Sequence, residues 1–298
     1  MVVYSVLTTE SATQYVRVYT SYNPPENDPN KNQDEQSVTD ATVTVSSDSG
    51  SYEFQKIVLQ RPDTSRYTTS IVAYACYPFR PARGTTYRLT VLSPSLGSAT
   101  VVTTVAGTVY ISPINFFMLA DPYTVYLDTT GTRDQTYGMD IYFGGEAGAF
   151  IGRIDVDYLV PAGDGMRPKR RQIPTVAEFF NLRWRLTYAG PRRVPLSYRA
   201  SRGFTYWGWY DLLEKIIGVE DGYQSRFVQV VFRVIHFDMP LYYAYGIAHN
   251  FLDNNSIRLD EPNYTNISGG LGVFGSVAVD SVVRALPYDI YHGRSQTK

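Results

Sequence analysis

The sequence predicts a mainly β protein, with an N-terminal immunoglobulin-like β-sandwich followed by a β-rich α+β domain carrying two short helices. Three observations support this fold class. Aromatic residues make up 14% of the 298-residue chain, including 26 Tyr, a composition suited to pleated, half-buried surfaces. Short runs alternating apolar and polar residues recur from residue 2 to about residue 112, with turn chemistry between them. Beyond that point strand-like runs alternate with two segments of helical periodicity.

The first region holds seven such runs: "VVYSVLT", "QYVRVYTSY", "ATVTVSS", "SYEFQKIVL", "RYTTSIVAYA", "TYRLTVLSP" and "ATVVTTV". In "ATVTVSS", Val43 and Val45 fall on one face and Thr42 and Thr44 on the other, the period of a strand with one buried side. "TYRLTVL" repeats the pattern with Tyr87, Leu89 and Val91. The intervening "SDSG", "RPDTS" and "ARGTT" supply Pro, Asp and Gly for tight turns. Seven short strands over about 110 residues is the count of a small sandwich. Residues 23–36, "NPPENDPNKNQDEQ", read as an exposed excursion between strands. Glu26, Asp28, Asp34 and Glu35 within it lack the Asp and Gly spacing of a dedicated calcium loop, so no metal is expected there.

Pro113 and Pro122 are expected to interrupt pairing, which places a boundary near residue 112 and divides the chain into domains 1–112 and 113–298. The strands expected in the second domain are "TYGMDIYFGG", "AFIGRIDVDYLV", "RFVQVVFRVIHF" and "GVFGSVAV". One expected helix is "PTVAEFFNLRW", opened by Pro174 and the Thr175/Glu178 capping box. The other is "YWGWYDLLEKIIG", with Leu212, Leu213, Ile216 and Ile217 on one stripe and Gly218 as its cap.

Several kinds of chemistry are disfavoured. A formal charge of −1 gives no global field for a polyanion, so nucleic acid is not expected as a partner. Gly270, Gly272 and Gly275 have the spacing of a dinucleotide fingerprint, but only 23 residues follow Gly275, too few for the returning strand. These glycines are expected to allow positive φ or close backbone approach where a strand enters a crowded sheet. No nucleophile elbow or zinc-ligand spacing appears, and His236, His249 and His292 are scattered. His236 reads as a strand histidine satisfied by a neighbour. Cys76, alone in apolar "IVAYACYPF", reads as an inert thiol. Asp155 and Asp157 share one strand face, as a hydrolytic pair might, but their alternation with Ile154, Val156 and Tyr158 reads as a solvated face. No catalytic residue, metal or cofactor is expected.

Two local features carry functional weight. "MRPKRRQIP" and "GPRRVPLSYRASRG" read as basic loops, and Arg192 and Arg193 in the second suit bidentate contact with an anionic partner. Directly after them come Tyr206, Trp207, Trp209 and Tyr210, which could stack a sugar ring or anchor a protein. These six residues are the candidate binding site.

Four motifs carry a family resemblance: "VVYSVLTTES", "SVTDATVTVSSDSGSYEF", "RGTTYRLTVLSP" and the terminal "EPNYTNISGGLGVFGS". With these, the chain resembles an uncharacterised family of Bacteroidota outer-membrane lipoproteins known by a domain-of-unknown-function label. In that family an immunoglobulin-like or carboxypeptidase-regulatory-like module precedes a β-rich domain. The resemblance implies export with a lipoprotein signal whose Cys is acylated. That Cys is absent here, so it implies a mature chain without its anchor, touching a membrane only through that lipid. It also implies a place at the cell surface or outer membrane beside an uptake transporter, with no established catalytic residues.

The resulting expectation is a non-enzymatic envelope protein that binds a partner such as an outer-membrane transporter or a surface glycan. A self-associating filament or adhesin subunit and a glycoside-processing enzyme are the alternatives.

Overall fold

The computed structural model describes residues 1–20, 36–62, 64–65, 68–114, 136–143, 148–173, 187–188, 194–199, 226–248 and 264–285. The protein is mainly β. Its chain falls into two compact units, the first comprising Met1–Thr108, Gly145–Phe150 and His236–Val279, and the second Val109–Gly144, Ile151–Ile235 and Asp280–Lys298.

The first seven strands of the chain are β1 (Val2–Thr8), β2 (Gln14–Tyr19), β3 (Thr42–Ser47), β4 (Gly50–Leu59), β5 (Ile71–Cys76), β6 (Thr86–Ser93) and β7 (Gly97–Thr104). They match the seven alternating runs, although the fifth begins only at Ile71. In β1 the alternation buries Val3, Ser5 and Leu7 and exposes Tyr4 and Val6. β3, β6 and β7 bury Val43 and Val45, then Tyr87, Leu89 and Val91, then Ala99 and Val101, on the same principle.

The order within the first unit is β15-β1-β2-β5-β4-β3-β6-β7, where β15 is Leu271–Ala285. β4 turns the corner of this arrangement: Val43↔Phe54 through Ser47↔Gly50 pair it with β3, whereas Gln55–Leu59 pair with Ala75–Ile71 of β5. Such a partner switch lets one strand serve both layers of a sandwich. Side chains from both layers meet in a single apolar cluster, with Val3, Leu7, Val16, Val18 and Tyr74 from one and Val43, Val45, Leu89 and Val91 from the other. Phe79 lies among three rings of that cluster, stacked on Tyr52 at 3.9 Å and edge-on to Phe54 and Tyr87 at 6.3 and 5.5 Å.

Two buried polar side chains in this unit show how its polar groups are engaged. The Gln14 amide donates to the carbonyls of Thr8, Ser11 and Phe79, and its oxygen accepts from the Thr8 N–H at 2.9 Å, which fixes the β1–β2 connection. The Tyr74 hydroxyl donates to the Val38 carbonyl and accepts from the Ala41 N–H at 2.9 and 3.0 Å.

Strands of the second unit include β8 (Val109–Ile114), β9 (Thr136–Phe143), β10 (Ala149–Ala162), β11 (Gly165–Ile173), β12 (Thr187–Tyr188), β13 (Val194–Arg199) and β14 (Arg226–Phe237), with β10 and β14 each running two residues into the first unit. Here β11-β10-β14 are neighbours, β12 also pairs β10, and β13-β9-β8 form a three-stranded sheet. Two expectations are corrected. Pro113 does not interrupt pairing: it sits inside β8 opposite Met139, on a terminal strand of its sheet, where a missing N–H can face away from the ladder. The basic run "MRPKRRQI" is not a loop but strand β11, antiparallel to β10 from Ile154↔Ile173 to Ala162↔Gly165.

One helix lies among the described residues, α1 (Met239–Ala248), where no helix was expected. Asp238 caps it: its Oδ1 accepts from the Leu241 N–H at 2.9 Å, and Pro240 occupies the first turn. The two expected helices, at 174–184 and 206–218, lie outside the described residues. None of the described helical residues forms a span long and apolar enough to cross a membrane.

Candidate functional site

Arg192, Arg193, Tyr206, Trp207, Trp209 and Tyr210, the site expected from sequence, lie outside the described residues, as do Glu26, Asp28, Asp34 and Glu35. Among the described residues no group of three or more His, Cys, Asp or Glu side chains is placed to hold a metal.

The terminal glycines serve the backbone. β15 runs parallel to β1, pairing Leu271–Val277 with Val2–Thr8, and Gly272 lies opposite Val3. Gly272 has φ +114°, and a Cβ there would overlap the Val3 carbonyl oxygen. A Cβ on Gly270 would meet the Met1 carbonyl at 2.8 Å, and one on Gly275 would press on Asp238 and Leu241 at 3.0 Å. Close approach of strand to strand, and of α1 to strand, explains all three.

Asp155 is not on a solvated face. Its side chain is fully buried, its Oδ1 accepts from the Arg153 Nε at 2.7 Å, and Arg233 pairs with its Oδ2 at 3.5 Å. Burial on β10 is two-sided there: Asp155 is buried on one face of the strand and Val156 and Tyr158 on the other. Asp157, two residues on, is held by Arg170 Nε and Nη2, at 2.5 and 2.8 Å, and by the Gln229 amide at 2.7 Å. The Arg170 bond, assisted by Gln229, keeps the Asp157 carboxyl below its ordinary range despite partial burial. Two carboxylates engaged in this way make an ion-pair ladder rather than a reacting pair.

A second buried carboxylate sits beside α1. Asp238 accepts from the Thr103 hydroxyl at 2.5 Å and the Leu241 N–H, and Ser276 adds a further bond. Burial pushes its carboxyl up to about 6 against those donors. Nearby in sequence, His236 is fully buried, and its Nε2 lies 3.4 Å from Arg83 Nη1. Arg83 also donates to the Val279 carbonyl at 2.7 Å. Cys76 is a half-buried free thiol whose pKa is raised by burial, which dulls its reactivity.

The candidate binding surface is the outward face of β1, β2, β5 and β4. Solvated sheet faces normally carry polar residues, yet here the outward positions of β1 and β2 are Tyr4, Val6, Tyr15, Arg17 and Tyr19. Tyr4, Val6 and Tyr15 are 46%, 41% and 45% exposed. Tyr4 stands opposite Arg17, and its ring lies 5.9 Å from that of Tyr19 at an interplanar angle of 9°. The Arg17 guanidinium is 5.8 Å from the Tyr19 centroid. The row continues through Tyr15↔Ala75↔Gln55, with Ile71↔Leu59 beside it, while Ala73 on the same face is buried. Arg17 and Gln55 are the polar heads of this face, and none of its named positions is acidic. Sequence reasoning passed over it because β1 and β2 alternate like any half-buried strand. The available signal was the identity of the second set: tyrosines where Thr, Ser or Lys would normally stand.

Residues 1–282 match the family described as "Domain of unknown function (DUF4249)". The chain belongs to this family. Membership in DUF4249 accounts for nearly the whole chain, both compact units included. No curated protein matches it. Among solved structures, the DUF4249 chain is similar to the C-terminal globular domain of an oligosaccharyltransferase from Pyrococcus abyssi, at 9% identity and a TM-score of 0.17. That alignment covers 95% of this chain and 44% of the solved one, and at such a TM-score it carries no argument.

Proposed function

We propose that the chain is a non-enzymatic binding protein of the bacterial cell surface, an accessory of an outer-membrane uptake system, built on an immunoglobulin-like module. The observation that carries this reading is the tyrosine-lined outward face of β1 and β2, apolar where a solvated sheet is ordinarily polar. The resemblance to Bacteroidota envelope lipoproteins supports the location. Asp155 and Asp157, both tied to arginines, give a glycoside-processing role no support. A filament built by strand addition is disfavoured at β11, which ends its sheet order with Arg167, Pro168, Lys169, Arg170 and Arg171 on one strand, the features that blunt edges.

The test is protease shaving of intact cells that produce the native protein, combined with fractionation of their envelopes. The protein is expected in the outer-membrane fraction and is expected to be degraded by external protease. Recovery in the cytosol would overturn the reading.

A further inference from the structure

We propose that Asp238, Ser276 and Thr104 form a proton-operated latch across the seam between β7 and β15, closed when the Asp238 carboxyl is protonated and loosened when it ionises. β7 and β15 stand at opposite ends of the strand order of the first unit, and the Asp238 side chain touches both. Its Oδ2 accepts from the Thr103 hydroxyl on β7 at 2.5 Å, while Ser276 on β15 offers it both a hydroxyl and a main-chain N–H. The Leu241 N–H of α1 donates to Oδ1 at 2.9 Å. One buried carboxyl thus joins three elements.

The Ser276 hydroxyl has one proton and two acceptors in reach, the Asp238 carboxylate and the Thr104 carbonyl, the latter at 3.3 Å. An ionised carboxylate makes the stronger bond and withdraws that proton from Thr104. A protonated carboxyl is itself a donor: its O–H goes to the Ser276 oxygen, and the Ser276 proton goes to the Thr104 carbonyl, tying β15 to β7. Thr103, Leu241 and the Ser276 N–H fill the remaining lone pairs in both states. A single proton therefore selects between two arrangements of the same side chains. Among the described residues no partner of Asp238 is a cation. His236, two residues earlier, lies against Arg83, which also donates to the Val279 and Gly107 carbonyls. Tyr264, stacked near Tyr243 of α1, has its phenol pushed up by burial and then by the Asp238 charge. With nothing to neutralise it, the carboxylate is disfavoured by burial, which sets its titration at about 6.

The test is a pH titration of the full chain by heteronuclear NMR, reading the Asp238 side-chain carboxyl carbon and the Thr104 carbonyl carbon together, with amide exchange in parallel. Both carbons are expected to titrate with one midpoint near 6. Thr100 and Ser268, whose N–H groups bridge the same border of β7 at 2.9 Å, report the seam. Their protection, corrected for intrinsic exchange, should fall about fivefold as pH rises through that midpoint, the worth of one hydrogen bond. Asp238→Asn should hold protection level across the range. Ser276→Ala should leave Asp238 titrating but silence the Thr104 carbonyl and the pH dependence at Thr100, a separation that a carboxyl serving only as a helix cap would not show. A Thr104 carbonyl that stays still while Asp238 titrates overturns the proposal, as does an Asp238 midpoint near 3.8 or a seam response that survives either substitution. The two carbons of the native chain decide the matter alone if a variant does not fold.

Discussion

Gly272 and Val3 lie side by side in the parallel register of β15 and β1, so close that any side chain on the glycine would overlap the Val3 carbonyl. Gly272→Ala should therefore destabilise by about 3 kcal/mol or more, combining backbone strain at positive φ with a clash against main chain that cannot step aside. Gly97, at φ +84° with open space around it, is the control. Gly97→Ala should cost only about 1 kcal/mol, the strain alone. Urea unfolding followed by tyrosine circular dichroism measures both; equal costs would show that packing against Val3 is not the constraint.

Asp238 should make stability depend on pH between about 4 and 6. Its folded carboxyl is raised to about 6, so in this window the folded state binds more protons than the unfolded one, and stability falls as pH rises. A rise from 3.8 to about 6 corresponds to a loss of about 3 kcal/mol across the window. Asp238→Asn keeps a helix cap and should flatten that slope. Asp157, held below its ordinary value, acts in the other direction and lower down: its contribution is lost only as pH falls below about 4. Urea midpoints at successive pH values, for the native chain and the Asn variant, separate the two.

Removing Asp155 should be far more damaging than removing Arg170. Asp155→Ala leaves Arg233 and Arg153 facing a buried void. The expected loss is about 2 to 3 kcal/mol, below the full value for a wholly buried pair because both arginines are about one-third exposed. Arg170→Ala breaks a more exposed pair and should cost about 1 kcal/mol or less. Thermal unfolding of the two variants under one buffer compares them.

Tyr74→Phe removes a single oxygen that serves two partners. The Val38 carbonyl and the Ala41 N–H would both lose a bond in a buried setting, at an expected cost of about 1 to 3 kcal/mol. Protection of the Ala41 amide from hydrogen exchange should fall along with it.

Much of the β framework was legible because its code is local. A period of two, read from "ATVTVSS" or "TYRLTVLSP", needs no knowledge of partners, and those strands appear where the alternation ends them. What stayed hidden is non-local. Asp155 alternates like a surface residue, and only the three-dimensional structure shows that both faces of β10 are buried at this point. "MRPKRRQI" has the charge of a loop but the geometry of a border strand, where charge and Pro discourage further pairing along its free edge. "MPLYYAYGIA" carries no helix-specific stripe, and its helix is set by the Asp238 cap and by packing on Gly275. The tyrosine face was likewise spelled out in "VVYSVLT" and "QYVRVY", but only the structure shows that the Tyr4 and Tyr15 rings remain exposed.

The partnership of residues 2–8 with residues 271–277 orders events in time as well as space. Strand β1 emerges from the ribosome with one flank destined for a segment more than two hundred residues downstream, so that flank stays unsatisfied until β15 has been made. Any nascent or truncated chain ending before Leu271 exposes a bare Val2–Thr8 border, open to whichever extended segment arrives first. Closure of the β1–β15 pair thus reports that everything between them has been made.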